Sequence, residues 1–211
     1  YYMQLGNLCV LDKYGRSPDS PAEYRGDWTE LYRSDDLINW EYLHRFYSRM
    51  TGFPGAPDDS EDDMCPSFLP LYDKPEGGEF TGKYLQLFIS HNKGCQYYVG
   101  RLENERFIPE SHGRMSWVDN TFFAPEALVD DRNRHIMWAW LTDNRGDEFN
   151  RFGWTGVYSF PRLLWLEGEE LRMAPVPELD SLMCNERDPG LAPGGLYIPE
   201  TPDAFRLKAG F

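Results

Sequence analysis

Two stretches of this chain pass through the same series of short β-rich runs. Each opens on a proline ahead of an apolar run, Pro66-Ser67-Phe68-Leu69 in one and Pro125-Glu126-Ala127-Leu128 in the other. Each continues into a second, aromatic-rich run, Lys83-Tyr84-Leu85-Gln86-Leu87-Phe88 and Arg134-His135-Ile136-Met137-Trp138-Ala139-Trp140. The 19 Gly and 16 Pro divide the chain at short intervals, and few windows carry an apolar period of a helix, so strands bounded by turns are predicted. One set comprises Ser67–Tyr72, Tyr84–Ser90, Gln96–Leu102 and the region of Phe107. The other comprises Ala124–Val129, His135–Leu141, Gly156–Phe160 and Leu163–Leu166, with Leu171–Ala174 beyond it. A four-stranded unit recurring at about 50 residues is what a β-propeller blade looks like in sequence. Tyr1–Leu5, Trp28–Ser34 and Glu41–Tyr47 then read as the last three strands of an earlier blade. The expected fold is all-β: a fragment of a propeller, roughly its last two and a half blades. A blade buries its faces against its neighbours, so the missing propeller half is required from elsewhere. The alternative, a self-contained β-sandwich, fits the strands but not the truncated start.

Composition narrows the function. The formal net charge is −14, which lacks the basic footprint that nucleic acid or an anionic membrane surface requires. No apolar run approaches the roughly 18–20 residues of a spanning helix. The chain is therefore expected to be soluble, cytoplasmic or secreted. Cys9, Cys65, Cys95 and Cys184 are scattered without a C-x-x-C pair, so no metal site and no cofactor are expected. Aromatics make up 16% of residues, with 7 Trp and 13 Tyr. Most belong in a β-rich core, and some suit stacking on the apolar face of a sugar.

The chemistry-bearing feature is Glu61-Asp62-Asp63, which leads through Met64 into Cys65-Pro66 and an apolar strand. Crowded like charges raise a carboxyl pKa, and an acid that is protonated at working pH is what general acid catalysis needs. One of Glu61, Asp62 and Asp63 is the candidate acid/base, with Glu61 first for its reach. A solvated acidic loop continuous with Asp58 and Asp59 is the competing reading. His91 and Asn92 follow a strand end and can hydrogen-bond sugar hydroxyls, unless they form only a polar turn. Trp140 and Trp154 are candidate sugar platforms, and Asp143 lies just past a strand end.

Several segments resemble glycoside hydrolase family 32, the β-fructosidases. Ser34-Asp35-Asp36-Leu37-Ile38-Asn39-Trp40 is similar to its S-x-D-L-x-x-W segment, and Cys65-Pro66-Ser67-Phe68-Leu69 to part of E-C-P-D-x-F. Tyr97-Tyr98-Val99-Gly100 with Phe107 resembles its Y-x-x-G…F hairpin, and Phe122-Phe123-Ala124-Pro125-Glu126 resembles F-Y-A-P-Q. Arg134–Trp140 resembles R-R-I-x-W-G-W, Gly153–Arg162 resembles G-W-x-G-x-x-S-L-P-R, and Pro175–Leu179 matches P-V-P-E-L. Seven motifs stand in the family's order over roughly residues 30–182. The resemblance implies a five-bladed propeller leading into a β-sandwich, and retaining hydrolysis or transfer of β-fructofuranosyl groups. It implies a carbohydrate substrate of the sucrose, levan or inulin type. It marks Phe122 and Glu126 as substrate-binding, beside His91, Asn92, Trp140, Asp143 and Trp154.

The chain departs from the pattern at the catalytic groups. The nucleophile Asp has no match, and the family's Arg-Asp-Pro motif belongs just before Tyr1. Arg187-Asp188-Pro189 follows the last blade and receives no role. Met64 holds the position of the acid/base Glu. Two domains are expected: a partial catalytic propeller over residues 1–182, and a linker with the start of a β-sandwich over 183–211. As it stands, the chain is expected to be catalytically incomplete. The alternatives are a non-catalytic carbohydrate-binding propeller that has lost the acid, and an inverting glycosidase of the family 43 type.

Overall fold

The structure, a computed structural model, describes residues 1–14, 19, 21, 24, 26–48, 61–143, 146 and 149–183. These residues form three antiparallel sheets. The first has the order β1 (Tyr2–Leu5), β2 (Trp28–Arg33), β3 (Glu41–Ser48). The second has the order β4 (Met64–Tyr72), β5 (Phe80–Ser90), β6 (Gly94–Glu103), β7 (Arg106–Arg114). The third contains β8 (Phe122–Val129), β9 (His135–Leu141), β10 (Val157–Tyr158), β11 (Arg162–Glu167) and β12 (Glu170–Pro175). Each predicted set is therefore one sheet, and the sandwich alternative falls away.

The second sheet is buried on both sides because its strands alternate between two cores. In β5, Leu85, Leu87 and Ile89 join Cys95 and Val99 of β6 in a cluster with Phe122, Met137 and Leu164 of the third sheet. Phe88 and Tyr98 face the other way, against Leu31, Phe46 and Tyr47 of the first sheet and Phe107 of β7. Successive residues of a strand point to opposite faces, so the run Leu85–Ile89 serves both neighbours at once. Aromatic contacts close the first-to-second interface, with Phe46 edge-on to Phe68 at 4.8 Å and Tyr47 edge-on to Tyr98 at 5.5 Å.

The first strands of the second and third sheets begin in the same way. On β4, Met64 opposes Ile89 and Ser67 opposes Leu87, so three steps face two. On β8, Phe123 opposes Trp140 and Glu126 opposes Trp138, again three against two. At each bulge the residue before proline has a left-handed backbone, Cys65 at φ 50° and Ala124 at φ 46°. A bulge is one of the few places a strand interior accepts proline, which cannot donate to the ladder. The shared proline openings of the sequence are thus a shared backbone device.

Three local expectations change. β4 starts at Met64, ahead of the expected Ser67, because the bulge returns the chain to the ladder beyond Pro66. Gly156–Phe160 and Leu163–Leu166 are not third and fourth strands: β10 and β11 both pair with β9, and the fourth strand is β12. Residues Leu8–Tyr14 form a helix, α1, between β1 and β2 with Leu11 buried. A second short helix, α2, spans Phe149–Phe152.

A compact unit closes at Pro175, and Val176–Phe211 form another. The described part of the latter holds one 3-10 turn, Pro177–Leu182. The expected linker and sandwich start, apart from Met183, and the Arg187-Asp188-Pro189 segment lie outside the described residues, as does Cys184. Among the described residues no helix is long and apolar enough to cross a membrane.

Candidate active site

β4 and β8 lie alongside each other, and their starts share one face of the molecule with the ends of β5 and β9. The Glu61–Asp63 run leads onto this face, and it is no solvated loop. All three residues are buried, each carboxylate with its own partners. The Glu61 carboxylate accepts from Gln96 Nε2 at 2.9 Å and lies 3.5 Å from Lys93 Nζ. Gln96 Oε1 meets His112 Nε2 at 2.9 Å, so the amide nitrogen is turned to the carboxylate.

The Asp62 carboxylate accepts the His91 backbone N–H at 3.2 Å and lies 2.7 Å from His91 Nδ1. The Asp62 N–H donates to Ser90 Oγ at 2.9 Å. Asp63 points between the first and second sheets, where Tyr47 Oη donates to it at 3.0 Å. Its other oxygen, Oδ1, is buried without a hydrogen-bond partner. Nearby Asp27 accepts from Tyr98 Oη at 2.6 Å. Burial, followed by the charges of Asp27 and Glu61, pushes the Asp63 carboxyl well above the usual carboxylate range.

The backbone of the run is clamped as well. Asn7 N donates to Asp62 O at 3.1 Å and Asp27 N to Glu61 O at 3.1 Å. Gly26 and Gly6 allow this approach: a Cβ on Gly26 would lie 2.0 Å from Glu61 O, and one on Gly6 would lie 2.2 Å from Asp63 O.

The other candidate residues divide into two groups. His91 and Trp140 share the face with Phe123 between them. The Phe123 ring is 5.5 Å from the His91 ring and 6.1 Å from Trp140, edge-on to both. Asn92, at φ 64°, is fixed by reciprocal bonds to Asn120: its N–H donates to Asn120 Oδ1 at 2.8 Å, and Asn120 Nδ2 donates to its Oδ1 at 3.1 Å. Glu126 is exposed on β8, though partial desolvation of its carboxyl raises its pKa, and its charge adds to burial in raising the Cys65 thiol. Asp143 accepts from Gly156 N at 3.4 Å. A Cβ on Gly156 would lie 2.0 Å from Trp140 Nε1, so this loop packs directly on the indole. Trp154 is half exposed on the same loop. Phe122 is different: it is buried in the core, with the Arg162 guanidinium over its ring at 4.8 Å.

Sequence reasoning missed Asp27, Tyr47, Lys93, Gln96, Phe123 and Asn120, which hold or frame the chosen residues. Only Phe123 carried a signal, as neighbour to Phe122 in the Phe-Phe-Ala-Pro motif. Among the described residues no three His, Cys, Asp or Glu side chains are grouped to hold a metal ion.

Comparison with known proteins identifies the family. The chain is 29% identical over 205 residues to a fructan 1-exohydrolase of Triticum urartu, covering 86% of this chain and 33% of that protein. It is 32% identical over 171 residues to a sucrose-6-phosphate hydrolase of Bacillus subtilis (strain 168), covering 74% and 34%. The chain thus spans about a third of the length of the curated relatives it matches. The crystal structure of fructan 1-exohydrolase IIa from Cichorium intybus superposes with a TM-score of 0.59 at 27% identity, covering 76% of this chain and 33% of that one. A Bombyx mori β-fructofuranosidase shares the fold at a TM-score of 0.60 and 21% identity, over 87% of this chain and 36% of that one. These are propeller enzymes, and the three sheets correspond to blades. The profile of the glycosyl hydrolases family 32 N-terminal domain matches residues 22–175, taking in β2 and β3 of the first sheet, the whole of the second and third sheets, and the face where β4 and β8 begin. The chain belongs to glycosyl hydrolase family 32.

Proposed function

We propose that this chain is the part of a retaining β-fructofuranosidase that carries the proton-handling side of the active site. The substrate is a β-fructofuranoside of the sucrose, levan or inulin type. The reading rests on family membership over residues 22–175 and on the names of the relatives, which are a fructan exohydrolase and a sucrose-6-phosphate hydrolase. The observation that carries it is the convergence on one face of the Asp62–His91 pair and the Phe123–Trp140 aromatic surface, with Glu126 exposed on β8 and near enough to Cys65 for its charge to act on the thiol. An aromatic surface suits the apolar side of the sugar, and the polar groups suit its hydroxyls.

Retaining hydrolysis needs a nucleophile and a group that first gives and then takes a proton. Within the acidic run we assign the functional part to Asp62, whose partner His91 opens onto the face. Glu61 and Asp63 anchor the start of β4 through their buried partners. The nucleophile comes from the rest of the full-length protein. Glu126, His91, Asn92, Trp140 and Trp154 bind the sugar, with Asp143 holding the loop against Trp140.

A second reading, a carbohydrate-binding propeller without catalysis, is favoured by one observation: Met64, which cannot transfer a proton, stands at the start of β4. The test is to incubate the full-length protein with sucrose, levan and inulin and to follow fructose release and the anomer first formed by NMR. Release with retained configuration supports the fructosidase. Binding of fructan without any release supports the second reading.

A further inference from the structure

We propose that His91, oriented by Asp62, is the proton-transfer group of this active site. The proposal rests on the fructosidase reading and deepens it, by naming the atom that protonates the leaving sugar.

A general acid must reach the glycosidic oxygen. Met64 has no proton to give. Glu61, Asp62 and Asp63 are buried, and their carboxylates face Gln96 and Lys93, His91, and Tyr47. The His91 side chain is 44% exposed on the face where β4 and β8 begin. It follows β5 directly, two positions beyond Ile89, the ladder partner of Met64. The ring is held from two sides. Asp62 grips the residue at its backbone N–H and at Nδ1, and the Phe123 edge lies against the imidazole at 5.5 Å. A carboxylate only accepts, so Nδ1 carries a hydrogen and Nε2 is the nitrogen left for substrate. Nε2 makes no hydrogen bond among the described residues. The turn beneath is fixed by the Asn92–Asn120 pair, so the ring is preorganised. A carboxylate behind an imidazole sets its tautomer and direction, as in other hydrolytic sites.

In the first half-reaction the imidazolium gives its Nε2 proton to the glycosidic oxygen as the bond to the anomeric carbon breaks. The bond's electron pair goes to that oxygen, and the leaving sugar departs as an alcohol. A carboxylate nucleophile from the rest of the full-length protein bonds to the anomeric carbon. In the second half-reaction neutral Nε2 takes a proton from water as the water oxygen bonds to that carbon and the carboxylate ester breaks. The imidazolium is regenerated and fructose is released.

The experiment compares two substrates in the full-length protein: sucrose, whose leaving group needs a proton, and fructosyl fluoride, whose leaving group does not. The readout is kcat/KM, which reports the half-reaction that breaks the bond. His91→Ala is expected to lower kcat/KM for sucrose by about 10²–10⁴-fold, and for the fluoride by less than about tenfold. Added imidazole is expected to restore sucrose turnover to His91→Ala. Asp62→Asn, which removes a positioning residue, is expected to give a smaller loss that is again selective for sucrose and that imidazole does not restore. His91→Gln replaces His91→Ala should the latter fail to fold, as judged by its thermal midpoint. Equal losses on both substrates, or no loss on sucrose, overturn the proposal. The same substrate split appearing in Glu126→Gln with His91→Ala unaffected also overturns it, and moves the role to Glu126. A wild-type protein that cleaves neither substrate rejects the fructosidase reading itself, and this inference with it.

Discussion

His135 shows how one buried side chain couples the blades to pH. It sits in β9, its Nδ1 donates to Pro70 O of β4 at 3.2 Å, and its Nε2 is buried without a partner. A second proton would have no acceptor, and burial holds the imidazole down at about 4. The unfolded chain titrates near 6.5. The folded state therefore favours the neutral ring: this contribution is complete above about pH 6.5 and is lost as pH falls towards 4, by up to about 3 kcal/mol. His135→Gln keeps a donor for Pro70 O but does not titrate. Urea midpoints are expected to fall with acidification more steeply in the wild type than in His135→Gln over this window. Asp63 runs in the opposite sense. Its raised pKa gives a contribution that is present below about pH 4, the unfolded value, and lost as pH rises through the folded value. Asp63→Asn mimics the protonated form beside Asp27 and is expected to be more stable than the wild type at pH 8, with the gap closing towards pH 4. Equal denaturation midpoints at both pH values would contradict this.

At the scale of elements, the bulged starts of β4 and β8 depend on backbone geometry that few side chains tolerate. Ala124 at φ 46° precedes a proline, and a β-branched residue is least compatible with a positive φ. Ala124→Val is expected to cost about 1–3 kcal/mol, whereas Ala127→Val, in the regular part of β8, is expected to cost less. Chemical denaturation of the two variants side by side checks this. The same elements show what the sequence could and could not reveal. Alternation and turn residues were enough to find the strands around Tyr84–Leu102 and His135–Leu141, because each has two apolar faces and clear boundaries. They could not find that β4 starts at Met64, since a left-handed Cys65 and a proline look like the outside of a strand. They also split one ladder at Ser159-Phe160-Pro161 into two strands. Helix α1 was missed because it is short and turns few apolar residues inward, Leu11 among them. At the site, the location of Glu61–Asp63 was legible from its neighbours in sequence. The direction of each carboxylate was not, because Asp27, Tyr47, Lys93 and Gln96 meet the run only through packing of separate strands.

For the molecule as a whole, neighbouring blades are joined by side-chain cores rather than by backbone ladders, with Leu87 and Met137 in one core and Phe88 and Phe46 in the other. Such units fold against one another, and a partial set has uncovered faces. Family 32 relatives are about three times as long as this chain. Residues 1–211 expressed alone are expected to release no fructose from sucrose, levan or inulin, and the full-length protein is expected to release it. Measurable hydrolysis by the isolated chain would show that its own carboxylates suffice.

Pro66 and Pro125 also bear on how the chain avoids misfolding. A strand displaced by two residues keeps its apolar side chains on the correct face, so hydrophobicity alone does not penalise the error. A proline penalises it wherever the displaced pairing calls for an N–H at its position. Both first strands carry a proline at the bulge, so a displacement that moves it to a donating position of the ladder leaves that hydrogen bond unmade. The prolines that first revealed the repeat are therefore expected to disfavour shifted pairings during assembly, and replacing either one is expected to raise aggregation on refolding more than it changes the stability of the finished fold.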